Sequence, residues 1–229
     1  MGLSASSQVR TNTGAGELGS RNISWDDQFI IVDKNGRNFH SYYEGIDGHP
    51  YFIEDFKYST IILSSGETFN NVLTRLDLYK QQVEFRLKSD TVKVALPGTV
   101  LEITFYDTSQ SVPQSYKFQS GYPDVDNLKK SNFYEVLADG NVTMLKSRIK
   151  KINQTKDEIS GQINKQFDTY EDHYLYVNYE MKRLKKDKAY LLNLLADKSK
   201  ELEAYISSEK LNFKSFDSIK KLVTYYNTL

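Results

Sequence analysis

Residues 83–105 read VEFRLKSDTVKVALPGTVLEITF. Val83, Phe85 and Leu87 alternate with Glu84 and Arg86. Val92, Val94 and Leu96 alternate with Lys93 and Ala95, and Leu101, Ile103 and Phe105 with Glu102 and Thr104. Successive side chains of an extended chain point to opposite faces, so a two-residue period predicts half-buried strands. Lys88-Ser89-Asp90 and Pro97-Gly98 interrupt the pattern with turn residues. The stretch therefore predicts three short strands joined by tight turns.

The same rhythm extends outward from it. Upstream, Val72, Thr74, Leu76 and Leu78 face one way, and Leu73, Arg75, Asp77 and Tyr79 the other. Asn35-Gly36, Ser64-Ser65-Gly66 and Asp139-Gly140 supply residues that tolerate the positive φ of hairpin turns. Strands recurring about every 10–12 residues fit an antiparallel sandwich or a barrel, and the pattern does not separate the two. This β-rich part is placed at residues 24–184. Within it, residues 148–166 (RIKKINQTKDEISGQINKQ) are polar and charged and read as a long exposed excursion or loop. A further hairpin is expected from Tyr174-Leu175-Tyr176-Val177 and Met181-Lys182-Arg183-Leu184.

Residues 185–229 change period to three or four. Asp187 is a candidate cap for a helix carrying Tyr190, Leu191, Leu194 and Leu195. Asp197 or Ser199 would cap one carrying Leu202, Tyr205 and Ile206. Ser215 would cap the last, with Phe216, Ile219, Leu222, Val223 and Tyr226 on one stripe. Helices this short need a packing partner. The expected fold class is α+β: an antiparallel, hairpin-rich sandwich or barrel followed by a small helical piece.

Composition excludes several function classes. Thirty basic and thirty acidic residues cancel, which argues against a basic nucleic-acid arm. Cys is absent, so there are no disulfides, thiolate metal sites or Cys nucleophiles. No run reaches the ~18 apolar residues of a membrane helix. Residues 1–23 lack periodicity and read as a disordered leader. Residues 1–7 also fit the end of a signal peptide, with Ala5 and Ser7 as the small residues before a cleavage point at Gln8.

Motifs for chemistry are scarce. His40, His49 and His173 are the only histidines, and none shares a metal-ligand spacing with another. No Gly-x-Ser-x-Gly elbow or phosphate loop occurs. His49 lies in Gly48-His49-Pro50 and reads as a turn. Asp124-Val125-Asp126-Asn127 reads as the cap of a short helical turn at Leu128. Glu54-Asp55 and Asp26-Asp27 read as solvated surface. No catalytic, metal or cofactor residue is assigned. The 17 tyrosines and 12 phenylalanines crowd the strands, where they serve cross-strand packing or a contact surface. For the second role the candidates are Tyr42, Tyr43, Tyr51, Tyr174 and Tyr176.

A resemblance is carried by residues 50–56 (PYFIEDF), 59–63 (STIIL), 76–79 (LDLY), 83–85 (VEF), 133–140 (FYEVLADG), 144–146 (MLK) and 225–229 (YYNTL). Their order and spacing resemble a group of uncharacterised exported proteins of Bacteroidota. The resemblance implies export to the periplasm or the cell surface, and no activity. Asp90-Thr91-Val92 and Asp217-Ser218-Ile219 also resemble the O-glycosylation sites of such bacteria, with Thr91 the candidate acceptor. The expected role is a non-catalytic binding or assembly module of the cell envelope, whose partner is a protein or a glycan. The alternatives are a carrier of an apolar ligand in a β cavity, and an enzyme of unrecognised type.

Overall fold

The computed structural model describes residues 29–30, 43, 45–88, 91–107, 113–156, 158–159 and 161–229. The leader, Tyr42, His40, Asp26-Asp27 and the Asn35-Gly36 turn lie outside the described residues. Among the described residues, eleven strands form one antiparallel sheet: β1 (Phe29–Ile30), β2 (Lys57–Leu63), β3 (Thr68–Asp77), β4 (Gln82–Arg86), β5 (Val92–Ala95), β6 (Val100–Asp107), β7 (Gln114–Gln119), β8 (Tyr134–Ala138), β9 (Val142–Lys156), β10 (Ile163–Val177) and β11 (Glu180–Arg183). Their spatial order is β1-β5-β4-β3-β2-β6-β7-β8-β9-β10-β11. The sheet is open, so the expected barrel does not close, and a single sheet stands where a two-sheet sandwich was the alternative. Three helices follow: α1 (Lys188–Leu194), α2 (Ser199–Ser208) and α3 (Phe216–Tyr226).

Alternation decides which face each half of the sheet buries. In β2 to β7, Ile61, Leu76, Val83, Phe85, Ile103, Phe105 and Phe118 form one apolar cluster. Phe52 closes it, 4.7 Å from the Phe118 ring and 5.1 Å from Tyr116. In the other half both faces are covered. Val142, Met144, Leu175 and Val177 pack against the helices. Tyr134, Leu145 and Tyr174 point the opposite way and pack on Leu128 and Tyr122.

The helices are held by burial rather than by length. Leu191, Leu195, Leu202, Ile219, Leu222 and Val223 are fully buried, each contributing about 1.5–3 kcal/mol relative to an exposed position. Asp187 caps α1 by accepting from Tyr190 N at 2.6 Å, and Ser215 caps α3 by accepting from Asp217 N at 3.2 Å. The cap expected of Asp197 or Ser199 is not made. A 3-10 turn, Ala196–Lys198, occupies that junction and the α2 N-cap is Lys198, with no side-chain bond. Asp197 is used instead as acceptor for the Tyr226 hydroxyl, at 3.0 and 3.2 Å.

The polar segment 148–166 is not a loop. It forms the distal parts of β9 and β10, paired in register from Arg148↔Glu171 to Lys156↔Ile163. Polar contacts hold it: Arg148 bridges Glu171 at 2.6 Å and Glu135 at 2.9 Å, Asn153 donates across the ladder to Asp168, and Gln166 donates to the same carboxylate along β10. Beyond Ile152 most side chains are exposed, so the pair extends outward as a two-stranded ribbon. The expected helical turn at Leu128 is likewise absent. Residues 125–128 form a tight turn closed by a Val125↔Leu128 bridge, while Asp126 accepts from the Tyr174 hydroxyl and Arg183.

Candidate functional site

The side of β3 and β4 opposite the apolar cluster is covered by residues 43 and 45–56. Pro50 O accepts from Leu78 N and Leu76 O accepts from Phe52 N, both at 2.9 Å, which sets Tyr51 opposite Asp77. Pairing of this kind sends Phe52 into the core and Tyr51 onto the other face. There it meets Arg75 and Glu84, which face each other across the β3–β4 ladder.

The charged pair is the centre of the site. Arg75 is 5% exposed and Glu84 1%. The Arg75 Nε and Nη2 both donate to Glu84 Oε2, at 2.8 and 2.7 Å, and Nη1 donates to Glu54 O at 3.3 Å. The guanidinium lies 3.6 Å over the Tyr51 ring and 4.5 Å from that of Phe56, a stacked geometry that desolvation strengthens. Burial raises the Glu84 carboxyl above its ordinary range, against the opposing pull of Arg75.

Neighbouring groups are fixed in the same way. Tyr43 donates to Asp77 Oδ2 at 2.6 Å, and Asp77 Oδ1 accepts from the Tyr79 and Lys80 amides at 2.8 Å. Burial first, then the Asp77 bond, pushes the Tyr43 hydroxyl up. Burial also raises Tyr51, with Glu84 adding to it. Lys150, from β9, donates to His49 O at 2.5 Å, and its Nζ is 3.5 Å from His49 Nδ1. Burial lowers His49, and the Lys150 charge lowers it further. Lys150 is itself lowered by burial.

These residues frame a pocket of about 680 Å³, lined by Tyr43, His49, Tyr51, Glu54, Phe56, Arg75 and Arg86 among others. Arg86 also lies over the Phe56 ring, at 4.4 Å, so two guanidinium groups meet that ring. Glu54 and Asp55 are exposed as expected, but they stand at this pocket rather than on plain surface. Among the described residues, no group of three or more His, Asp or Glu is placed to hold a metal ion. No helix among them is long and apolar enough to cross a membrane.

The candidate contact tyrosines separate into two places. Tyr43 and Tyr51 share the pocket, but Tyr51 is buried and forms its floor rather than a contact face. Tyr174 is also buried, at 1% exposure. Its ring packs edge-on to Tyr134 at 5.8 Å, and Tyr122 packs likewise on Tyr134 and Tyr176. These are cross-strand packing contacts, because both faces of β10 are covered at that point. Tyr176 is half-buried. Thr91 is exposed between β4 and β5, and Asp90 lies outside the described residues. Arg75 and Glu84 were not among the expected site residues. Their equal distance from the turn between β3 and β4 is the sequence signal that places them opposite each other.

No protein-family model, no curated protein and no solved structure matches this chain.

Proposed function

We propose that the protein is a non-catalytic, exported binding module of the bacterial cell envelope, and that the Tyr51–Arg75 pocket receives a segment of its protein or glycan partner. The observation that carries this reading is the state of the two buried acids beside the pocket. Glu84 and Asp77 are both engaged by fixed protein donors, which suits a rigid recognition surface better than proton transfer. Aromatic rings and arginines that are already ordered lose little entropy on binding. The envelope location rests on the sequence resemblance.

A photo-crosslinking residue placed at Arg86 tests the reading. In periplasmic and outer-membrane fractions it should give one discrete adduct, reduced in a Phe56→Ala background. A chain confined to the cytoplasmic fraction and giving no adduct refutes it. Thr91 is the proposed O-glycan acceptor. The exported protein should then carry a mass increment that Thr91→Ala removes, and an unmodified mass would discard the assignment.

An enzyme of unrecognised type is the second reading. It is favoured by the gathering of His49, Glu54 and Asp55 in one pocket. Turnover of envelope glycans abolished by His49→Gln would establish it. The carrier reading, with an apolar ligand in a barrel or sandwich cavity, loses its barrel form because the sheet is open.

A further inference from the structure

The turn joining β10 to β11 holds a residue that its backbone disfavours. Asn178 and Tyr179 take φ of +52° and +63°, and two consecutive left-handed residues make a type I′ hairpin turn. Asn suits the first place. The second is usually Gly, because a side chain in this region costs about 1–2 kcal/mol. Packing does not offset that cost, since Tyr179 is 87% exposed.

The Tyr179 ring lines a second pocket, of about 770 Å³, within the size range of small-ligand sites. Distant parts of the chain build it: Asn141 after β8, Tyr176 in β10, Asn178 and Tyr179 in the turn, Asp197 in the 3-10 segment and Tyr226 at the end of α3. The Tyr226 hydroxyl donates to Asp197, which fixes both side chains and leaves the carboxylate with further accepting capacity.

The lining selects a chemistry. Among the described residues it offers tyrosine rings, two carboxamides, one carboxylate and the apolar side chains of Val177 and Leu194, and no Lys or Arg. A phosphate or sulfate ligand would find no cation. An acyl chain would leave the amides and the carboxylate buried without partners. A neutral sugar satisfies every polar group and keeps C–H faces for the apolar ones. The C–H face of its ring stacks on an exposed tyrosine, one hydroxyl donates to Asp197, and others exchange bonds with Asn141 and Asn178.

We propose that this pocket binds a neutral saccharide, with Tyr179 as the stacking platform and Asp197 as the hydroxyl acceptor. The site is separate from the Tyr51–Arg75 pocket, so either can fail without the other.

The test is NMR titration of the full chain with neutral di- and trisaccharides of glucose, galactose, mannose, xylose, N-acetylglucosamine and N-acetylgalactosamine. At least one should shift the amides of Asn141, Asn178 and Tyr179 and leave those of His49 and Tyr51 in place. Tyr179→Gly separates binding from folding. It should raise the melting temperature, by relieving the turn, while weakening the saccharide at least about ten-fold. Tyr179→Trp should retain binding, and Asp197→Asn should weaken it. Failure of the whole panel overturns the proposal. So does unchanged affinity in Tyr179→Gly, or selective binding of choline, which would mark the rings as a cation cage.

Discussion

Arg75 and Glu84 form a fully paired ion bridge on the face of β3–β4 that the neighbouring apolar residues leave to polar groups. A buried charge that loses its partner retains the full desolvation cost. Glu84→Gln or Arg75→Leu should therefore destabilise the fold by about 3–5 kcal/mol. Arg75→Met combined with Glu84→Leu should recover most of that loss, since neither charge then remains. Urea unfolding of the three variants measures it, and a single substitution without effect contradicts the account.

Tyr134 buries its hydroxyl without a hydrogen-bond partner, whereas the adjacent Tyr174 donates to Asp126 at 2.9 Å. Tyr134→Phe should be neutral or stabilising by up to about 1 kcal/mol, and Tyr174→Phe should cost about 1 kcal/mol. Melting temperatures moving in opposite directions from wild type are the expected result.

His173 stacks on Phe216 of α3 at 3.5 Å, with the two rings 13° from parallel. Burial, and then the Lys146 charge on the paired strand, lower its pKa from 6.5 to about 4, against a smaller upward pull from Glu171. A depressed folded value means the unfolded chain binds the proton more tightly. This contribution to stability is complete above pH 6.5 and is lost as pH falls toward 4, by about 3 kcal/mol in full. His173→Phe keeps the stack and removes the proton site. Its stability should fall less than wild type between pH 7 and pH 4.5, and equal slopes would exclude His173 as the cause.

Asn227 fastens the end of α3 to the β8–β9 turn. Its carboxamide accepts from Val142 N at 2.9 Å and donates to Val142 O at 2.8 Å. Gly140 has φ +152°, and a Cβ there would come within 2.5 Å of Asn227 Cγ. Gly140→Ala should cost about 2–4 kcal/mol. In an Asn227→Gly background the clash disappears, so the two changes together should cost less than their sum. An additive thermal cycle would show that the contact carries no coupling.

Much of the sheet was legible because each strand carries its own record of burial. Ile103 and Phe105, or Val83 and Phe85, announce an inward face by spacing alone. Arg75 and Asp77 announce an outward one, and they are buried because residues 43 and 45–56 fold over them, an event no periodicity within β3 registers. The strand pairing within the exposed excursion at 148–166 leaves no such record, for a related reason. Its partners, such as Lys151 and Asp168, lie across a turn, and local alternation reports apolar burial rather than cross-strand charge pairing. At the site, Tyr43 and Tyr51 stood out as aromatics, but His49 resembled an ordinary turn residue. Asp197 had the position of a cap, and only the return of α3 beside it shows that its partner is Tyr226.

The strand order divides the chain into two unbroken zigzags, β5 back to β2 and β6 through to β11, whose strands pair with each other along a single seam where Ile61 lies opposite Ile103. Apart from β1, every other strand pair is a sequence neighbour and needs little chain to find its mate. Closing that seam must gather roughly 40 intervening residues, so it is the natural pacemaker of folding. Severing the backbone at Pro97–Gly98 would leave both zigzags whole, and the two fragments would recognise each other by rejoining the β2 and β6 edges.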